Sequence, residues 1–299
     1  MSVCASWPDG SKLAVSFVVN VEEGAELSPA DGDRAAEPVD ELGMALKPGF
    51  RNFGNESNYR YGIEAGAPRV LRLLEEFGVR ATFTAAALAL ERAPALAARL
   101  AASPHEVAAH GWRWVPQHRL DAEEERAFIR RARDSIARSV GRPPVGWLSR
   151  YLHTAETRRL LAEEGFLYHM DDYGADWPSW DAQVAPPIVV LPYALDTNDM
   201  KLWQAPALTP AQWADYAIES YEWMKHEQPE RAQILSIGVH LRIIGRPGRI
   251  GALARVIKHI RAGGGAWIAT RQEIAAHFAR CVPPPPPGRA AAGNGAPSS

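Results

Sequence analysis

The chain has 299 residues and a mass of 32.7 kDa, with 46% apolar and 23% charged residues; this suits a well-cored soluble domain and excludes disordered, collagenous and coiled-coil classes. Lys and Arg number 33 against 35 Asp and Glu, a formal charge of −2, so there is no basic footprint for nucleic acid. The two cysteines, Cys4 and Cys281, lie near opposite ends and offer neither a zinc cage nor a disulfide framework, and no apolar run is long enough to span a bilayer.

Leu13–Asn20 (LAVSFVVN) is short, apolar and β-branched, the pattern of a buried strand. Residues 23–64 read as a long loop rich in Gly, Pro, Asn and Asp. Its Phe50, Arg51, Phe53, Tyr59, Arg60 and Tyr61 predict that it docks on the domain and serves a site. Pro68–Phe77 places Val70, Leu71, Leu74 and Phe77 on one helical face, stopped by Gly78, before a strand at Arg80–Thr84. A helix over Ala93–Ala102 and a strand over Glu106–Ala109 follow. Asp121 caps an amphipathic helix to Val140, with Glu124 at the capping-box position. Next come strand Val145–Leu148, helix Ala155–Glu164 ended by Gly165, and strands Phe166–Met170 and Ile188–Leu191. Helix Pro210–Lys225, strand Ile234–Val239, helix Ile250–Ala262, strand Ala266–Ala269 and helix Arg271–Phe278 complete the series. About eight strands interleaved with about seven helices predict parallel strands with helical crossovers, as a closed barrel or a doubly wound sheet. They form a single α/β domain over residues 1–282. Residues 283–299, beginning with a proline run, are expected to be a disordered tail. The N-terminus lacks the features of a signal peptide, which predicts a cytoplasmic protein.

No GxGxxG follows a strand, and neither GxxxxGK[ST] nor GxSxG occurs, so dinucleotide binding, P-loop chemistry and a nucleophile elbow lose their usual supports. Gly245–Gly251, with glycines three apart, could open the next helix around an anion but reads first as a structural turn at a helix start. His105 and His110 are five apart, about 140° round a helix, whereas the helical zinc motif needs histidines four apart. Reactive groups in α/β folds gather at the C-terminal ends of strands. Three such ends are polar here: Asn20 to Gly24 with Glu22 and Glu23, Ala109 to Trp114 with His110, and Ser236 to Arg242 with His240. A carboxylate and two histidines at one mouth are the inventory for general acid–base hydrolysis, or for a metal site. Taken singly, each also fits a solvated glutamate pair or a hydrogen-bonded structural histidine.

Six segments in order resemble the polysaccharide deacetylase superfamily: FVVNVEEGAE (17–26), YRYGIEAGAPRVLRLLEEFGVRATF (59–83), EVAAHGWRW (106–114), TRRLLAEEGFLYHMDDYGADWPSW (157–180), VVLPYALDTNDMKLW (189–203) and SIGVHLRIIGRPGRIGAL (236–253). More narrowly, they resemble the branch holding metal-independent allantoinases, cyclic imide hydrolases and peptidoglycan deacetylase-like proteins. The resemblance implies a distorted (β/α) barrel of about seven to eight parallel strands and a homo-oligomer, tetramer or dimer. Ordinary members carry Asp-Asp after the first strand and His-x-x-x-His after the third; the first Asp is the base, and the second Asp with both histidines holds a divalent metal. Here Glu22 and Glu23 replace the aspartates, His110 matches the first histidine, and Trp114 stands at the second. Indole is no metal ligand, so neither a metal nor another cofactor is expected.

By the same resemblance His240 is the catalytic histidine, and Asp171 and Asp176 lie where the family keeps an aspartate supporting it. Arg150, in GWLSRYLHTAETRRL (146–160), lies where the family supplies an arginine near the oxyanion, and Asn198 belongs to the shared motif LDTNDM (195–200). The expected activity is hydrolysis of a small cyclic amide, ureide or imide. Glu22 or Glu23 would activate water, only one of them facing the pocket because strand side chains alternate. His240 would protonate the leaving nitrogen, and His110 with Arg150 or backbone N–H groups would steady the oxyanion. Trp112 and Trp114 would wall a flat pocket, with Asp171, Asp176 and Asn198 at the substrate. The alternatives are an N-deacetylase of an amino sugar or peptidoglycan fragment, and a catalytically inactive binding homologue.

Overall fold

All nine residues of Leu13–Val21 (β1) are buried, as expected of a parallel strand covered on both faces. In the computed structural model, which describes residues 3–44 and 46–286, β1 pairs along most of its length with β8 (Gln233–His240). On its other side it pairs first with β9 (Ala266–Ile268) and then with β2 (Thr82–Ala85). The sheet continues through β3 (Glu106–Ala109), β4 (Gly146–Trp147), β5 (Tyr168–His169) and β7 (Ile188–Val190) to β6 (Ser179–Asp181) at the far edge. Among the described residues the sheet has nine strands, and every pairing is parallel except β6 with β7. It curls into a half-barrel, the distorted barrel expected. Its two ends approach closely enough for Asn20 of β1 to reach Tyr193 beyond β7 at 3.2 Å, and for Ile234 N–H of β8 to reach the Asp176 carbonyl at 2.7 Å.

Alternation along β1 sorts its side chains into two cores. Leu13, Val15, Phe17, Val19 and Val21 face the helix layer, while Ala14 and Val18 face the interior beside Met170, Leu191, Ile274 and Phe278. Each fully buried Phe or Leu contributes about 1.5–3 kcal/mol by leaving water. The interior face continues through Asn20 to Glu22, and the helix-side face through Val21 to Glu23. This parity decides which glutamate meets the pocket.

The eight anticipated strands are present within two residues of their expected bounds. The seven anticipated helices appear at Ala67–Glu76, Pro94–Ala101, Ala122–Val140, Thr157–Glu163, Pro210–Glu227, Pro247–Gly263 and Arg271–Cys281. Asp121 and Glu124 form the expected capping box. Residues 53–66, however, are helical rather than loop. Asn52 caps Phe53–Tyr61 by accepting the Asn55 N–H at 3.0 Å, and Gly62–Gly66 adds a π-helical turn that joins it to the next helix. The segment FGNESNYRY buries only Asn55 and Tyr59, so it lacks the apolar period that betrays a helix. Short helices at Ala87–Arg92 and Leu241–Ile244 were also beyond periodicity.

The two cysteines, separated by almost the whole sequence, are brought together: Cys4, His277 and Cys281 place their thiol and ring-nitrogen atoms within 4.8 Å of one another. Sequence spacing, which offered neither a zinc cage nor a disulfide framework, does not reveal this grouping. The expected tail lies outside the described residues from 287 onward. Among the described residues no helix is long and apolar enough to cross a membrane.

Candidate active site

The C-terminal ends of β1, β3 and β8 converge on a cavity of about 250 Å³ lined by Asn20, Glu22, His110, Trp114, Tyr193 and His240, with Arg150 and Asn198 on its wall. Glu22 is the buried centre of this group. Its Oε2 accepts from Arg242 Nη1 at 2.6 Å, and its Oε1 lies 3.3 Å from His240 Nε2 and 3.5 Å from His110 Nε2. Burial alone would raise its pKa, but the charges of His240 and then Arg242 outweigh it and hold the carboxyl well below the usual range. Glu23 turns the other way. Its carboxylate accepts the backbone N–H of Glu22 and of Arg242, both at 3.0 Å. Gly62 makes room for it, since a Cβ there would lie 2.5 Å from its Oε1. Burial pushes the Glu23 pKa up.

His240 stands between two carboxylates. Its Nδ1 lies 2.7 Å from Asp199 Oδ1, while Asp199 Oδ2 accepts the backbone N–H of His240 (2.9 Å) and Ile244 (3.1 Å). Burial pulls the imidazole pKa down, yet Glu22 and then Asp199 raise it to about 9. At neutral pH the site therefore holds an ionised carboxylate beside an imidazolium, a base and an acid in the protonation states that each role requires.

His110 is fully engaged. Its Nδ1 lies 2.7 Å from the Leu148 carbonyl, which only accepts, and its Nε2 lies 3.0 Å from the Trp114 indole N–H, which only donates. With these partners Nδ1 donates and Nε2 accepts. No lone pair of His110 is left for a metal ion. Glu23 faces away and Arg242 already occupies Glu22, so the donor set does not fit the divalent metal of ordinary superfamily members.

Tyr193 was not anticipated. Its hydroxyl oxygen accepts the Asn20 amide at 3.2 Å and the Asn198 amide at 3.0 Å, leaving its own proton to donate into the cavity. Thr84 Oγ1 fixes the Asn20 amide by donating to Oδ1 at 2.7 Å. Gly238 gives the ring its place, because a Cβ there would lie 2.2 Å from the hydroxyl. Burial pushes the Tyr193 pKa up, which keeps the donor protonated.

Several expected residues stand elsewhere. The aspartate supporting His240 is Asp199, not Asp171 or Asp176. Asp171 instead pins the pocket-lining loop by accepting from Ser149 N at 2.7 Å and Ser149 Oγ at 2.8 Å. Asp176 lies outside the cavity lining and meets β8 through its carbonyl. Arg150 reaches the wall, but its guanidinium is spent on Glu37 (2.5 and 2.9 Å), on the Trp114 carbonyl (2.7 Å) and on stacking 3.7 Å over the Trp114 ring. Trp112 points away, with its indole N–H 3.3 Å from Glu91 and Arg131 over its ring. None of the described residues of the 24–64 segment lines the cavity. The segment braces the site from behind, Glu37 through Arg150 and Tyr59 through the Arg242 guanidinium 4.3 Å above its ring. Asp199 and Arg242 both had a signal, each lying in a motif whose neighbour, Asn198 or His240, was singled out instead.

Residues 58–168 match the family described as Polysaccharide deacetylase. A Schizosaccharomyces pombe protein described as "Putative polysaccharide deacetylase" is 31% identical over 291 residues, covering 90% of this chain and 91% of its own. A crystal structure of a probable polysaccharide deacetylase from Pseudomonas aeruginosa PAO1 matches with a TM-score of 0.86 at 36% identity, over 92% of this chain and 93% of that one. PuuE allantoinase matches with a TM-score of 0.87 at 35% identity, over 92% of both chains.

Proposed function

The chain belongs to the polysaccharide deacetylase family, on its allantoinase-like branch, and we propose that it is a hydrolase that opens a C–N bond of a small cyclic amide, ureide or imide. One observation carries this reading: the Glu22 carboxyl lies 3.3 Å from the His240 imidazole on the wall of a cavity of about 250 Å³, each group's pKa moved toward its charged form by the other. Water attacks the ring carbonyl carbon while Glu22 Oε1 takes its proton. The Tyr193 hydroxyl donates to the oxygen on which charge develops, a contribution of about 3–4 kcal/mol for one such donor. As the C–N bond breaks, His240 Nε2 gives its proton to the leaving nitrogen. Glu22 returns the water's proton to His240 across the short gap between them, and the site is reset. The acid–base pair contributes about 10²–10⁴-fold.

No divalent ion fits the donor set, so the carbonyl must be reactive in itself. A strained or doubly acylated ring nitrogen meets that need better than an ordinary acetamide. The Trp114 and Tyr193 rings suit a flat ligand, and the likeness to PuuE allantoinase supports a cyclic ureide. A second reading, N-deacetylation of an amino sugar, is favoured by the rim, where Tyr151, Tyr173 and Leu195 are about half exposed and offer stacking surface for a sugar ring. The test is incubation with allantoin, hydantoin, succinimide and short chitooligosaccharides, following ring opening and acetate release separately. Ring opening is expected. Acetate release alone would move the assignment to the second reading, and binding without turnover of any of them to a non-catalytic binder.

A further inference from the structure

Opposite the cavity, beyond the N-terminal ends of the strands, the first residues of the chain meet its last described helix. We propose that Cys4, His277 and Cys281 form a binding site for a thiophilic d¹⁰ metal ion, zinc above all, that clips the two ends of the chain together. His277 and Cys281 are four apart on Arg271–Cys281 and so share a face. Cys281 Sγ lies 3.3 Å from His277 Nε2, and Cys4 Sγ completes a group whose ligand atoms all fall within 4.8 Å. Ligand atoms round a tetrahedral zinc lie about 3.5–3.8 Å apart, so a movement of about an ångström closes the site.

The ligands are held from behind. The His277 ring lies 5.6 Å from Trp7 and 6.1 Å from Trp267, centroid to centroid, which fixes its plane. Cys4 is buried, and its carbonyl accepts the Ala232 N–H at 2.8 Å. The Ser6 carbonyl, 3.0 Å from His277 Nε2 and 3.5 Å from Cys4 Sγ, or a water on the exposed Cys281 side, supplies the fourth position. Two thiolates cancel the charge of a dication and the imidazole binds neutral, so uptake of one ion releases two thiol protons. Sulfur and imidazole donors select zinc over magnesium or calcium. A disulfide between the two cysteines would leave the imidazole without a role.

The test uses the full chain, reduced and metal-free, titrated anaerobically with Co²⁺. Expected are one equivalent bound, a thiolate-to-cobalt charge-transfer band, quenching of tryptophan fluorescence through Trp7 and Trp267, and displacement by Zn²⁺. Cys281 is exposed, so Cys281→Ser keeps the fold, checked by circular dichroism, yet should lose about half of the band at saturation and bind about tenfold or more weaker. His277→Ala should weaken binding likewise. Absence of the band in reduced wild-type protein would overturn the proposal, as would an undiminished band with unchanged affinity in Cys281→Ser. So would closure of a Cys4–Cys281 disulfide in glutathione buffer by a protein that takes up no cobalt when reduced.

Discussion

Asp199→Asn removes one charge from behind His240 and changes little else in shape. His240 rises from the ordinary 6.5 to about 9 although it is buried. That difference is worth about 3 kcal/mol in favour of the imidazolium. Glu22 and Asp199 supply it together, so losing Asp199 should lower the His240 pKa by at least about one pH unit, or about 1.4 kcal/mol. The Asn side chain must also turn its N–H either to the His240 ring Nδ1 or to the backbone N–H groups of His240 and Ile244, which Asp199 meets only with acceptors, so it supports the imidazolium less well. His240 must be protonated to serve as the acid, so wild-type activity should hold as pH rises and fall through about pH 9. In Asp199→Asn that alkaline limb should start about one unit lower, with kcat down about 10²-fold or more. A pH profile of kcat/KM on any substrate that turns over, paired with an NMR titration of the His240 ring that needs no substrate, reads both effects. An unmoved alkaline limb, or a kcat within about threefold of wild type, would refute the assignment of His240 as acid and Asp199 as its support.

Glu22→Gln should cost about 10²–10⁴-fold in turnover, whereas Glu23→Gln, whose carboxyl meets only backbone N–H groups and the Arg242 field, should stay within about tenfold; the two rates at saturating substrate decide which glutamate is the base. Tyr193→Phe should lower kcat about 10²–10³-fold with little change in KM, because its proton serves charge that appears only in the transition state. Leu42, Met44, Phe50 and Phe53 are all strongly exposed within one segment, and we propose that they are covered by a second copy of the chain. Sedimentation should show a dimer or tetramer that Phe50→Ser with Phe53→Ser converts to monomer, and a monomeric wild type would count against it. Chelation should leave turnover unchanged even where it strips an ion from Cys4, His277 and Cys281; activity lost to a chelator and restored by zinc would refute the metal-free site.

The strands were legible because a buried parallel sheet writes itself as short apolar, β-branched runs, and the long helices because their apolar period was intact. Phe53–Tyr61 was not, since a helix that buries an asparagine and a tyrosine carries no apolar stripe to read. The site followed the same division. Glu22, His110 and His240 are anchored to strand ends, where sequence fixes position to within a residue or two. Asp199 and Tyr193 approach from the long connection after β7, and only the curl of the sheet brings them to Asn20 and His240. Arg150 shows the converse. It lies on the cavity wall, but its partner Glu37 comes from a segment whose path sequence does not specify, and that partner removes it from the chemistry.

Arg242 explains how the site holds together without the usual ion. Its guanidinium lies 2.6 Å from Glu22 and supplies a fixed positive charge against a buried carboxylate, while the faces of Tyr59 and Trp114, at 4.3 and 5.5 Å, stabilise that charge in turn. Trp114 therefore acts twice, closing the Nε2 lone pair of His110 and facing the cation. A guanidinium differs from a metal ion in one decisive respect: it has no exchangeable coordination position at which to bind a carbonyl oxygen or acidify water. It can hold Glu22 ionised, yet by doing so it also makes Glu22 a weaker base. Restoring a histidine at position 114 alone would not recover an ion site, because Arg242 would still occupy Glu22. The electrophilic help then falls to the Tyr193 proton and the imidazolium of His240, and the remainder of the barrier must already be low in the substrate. That is the physical argument that ties the tryptophan at position 114 to the proposed preference for an activated ring amide.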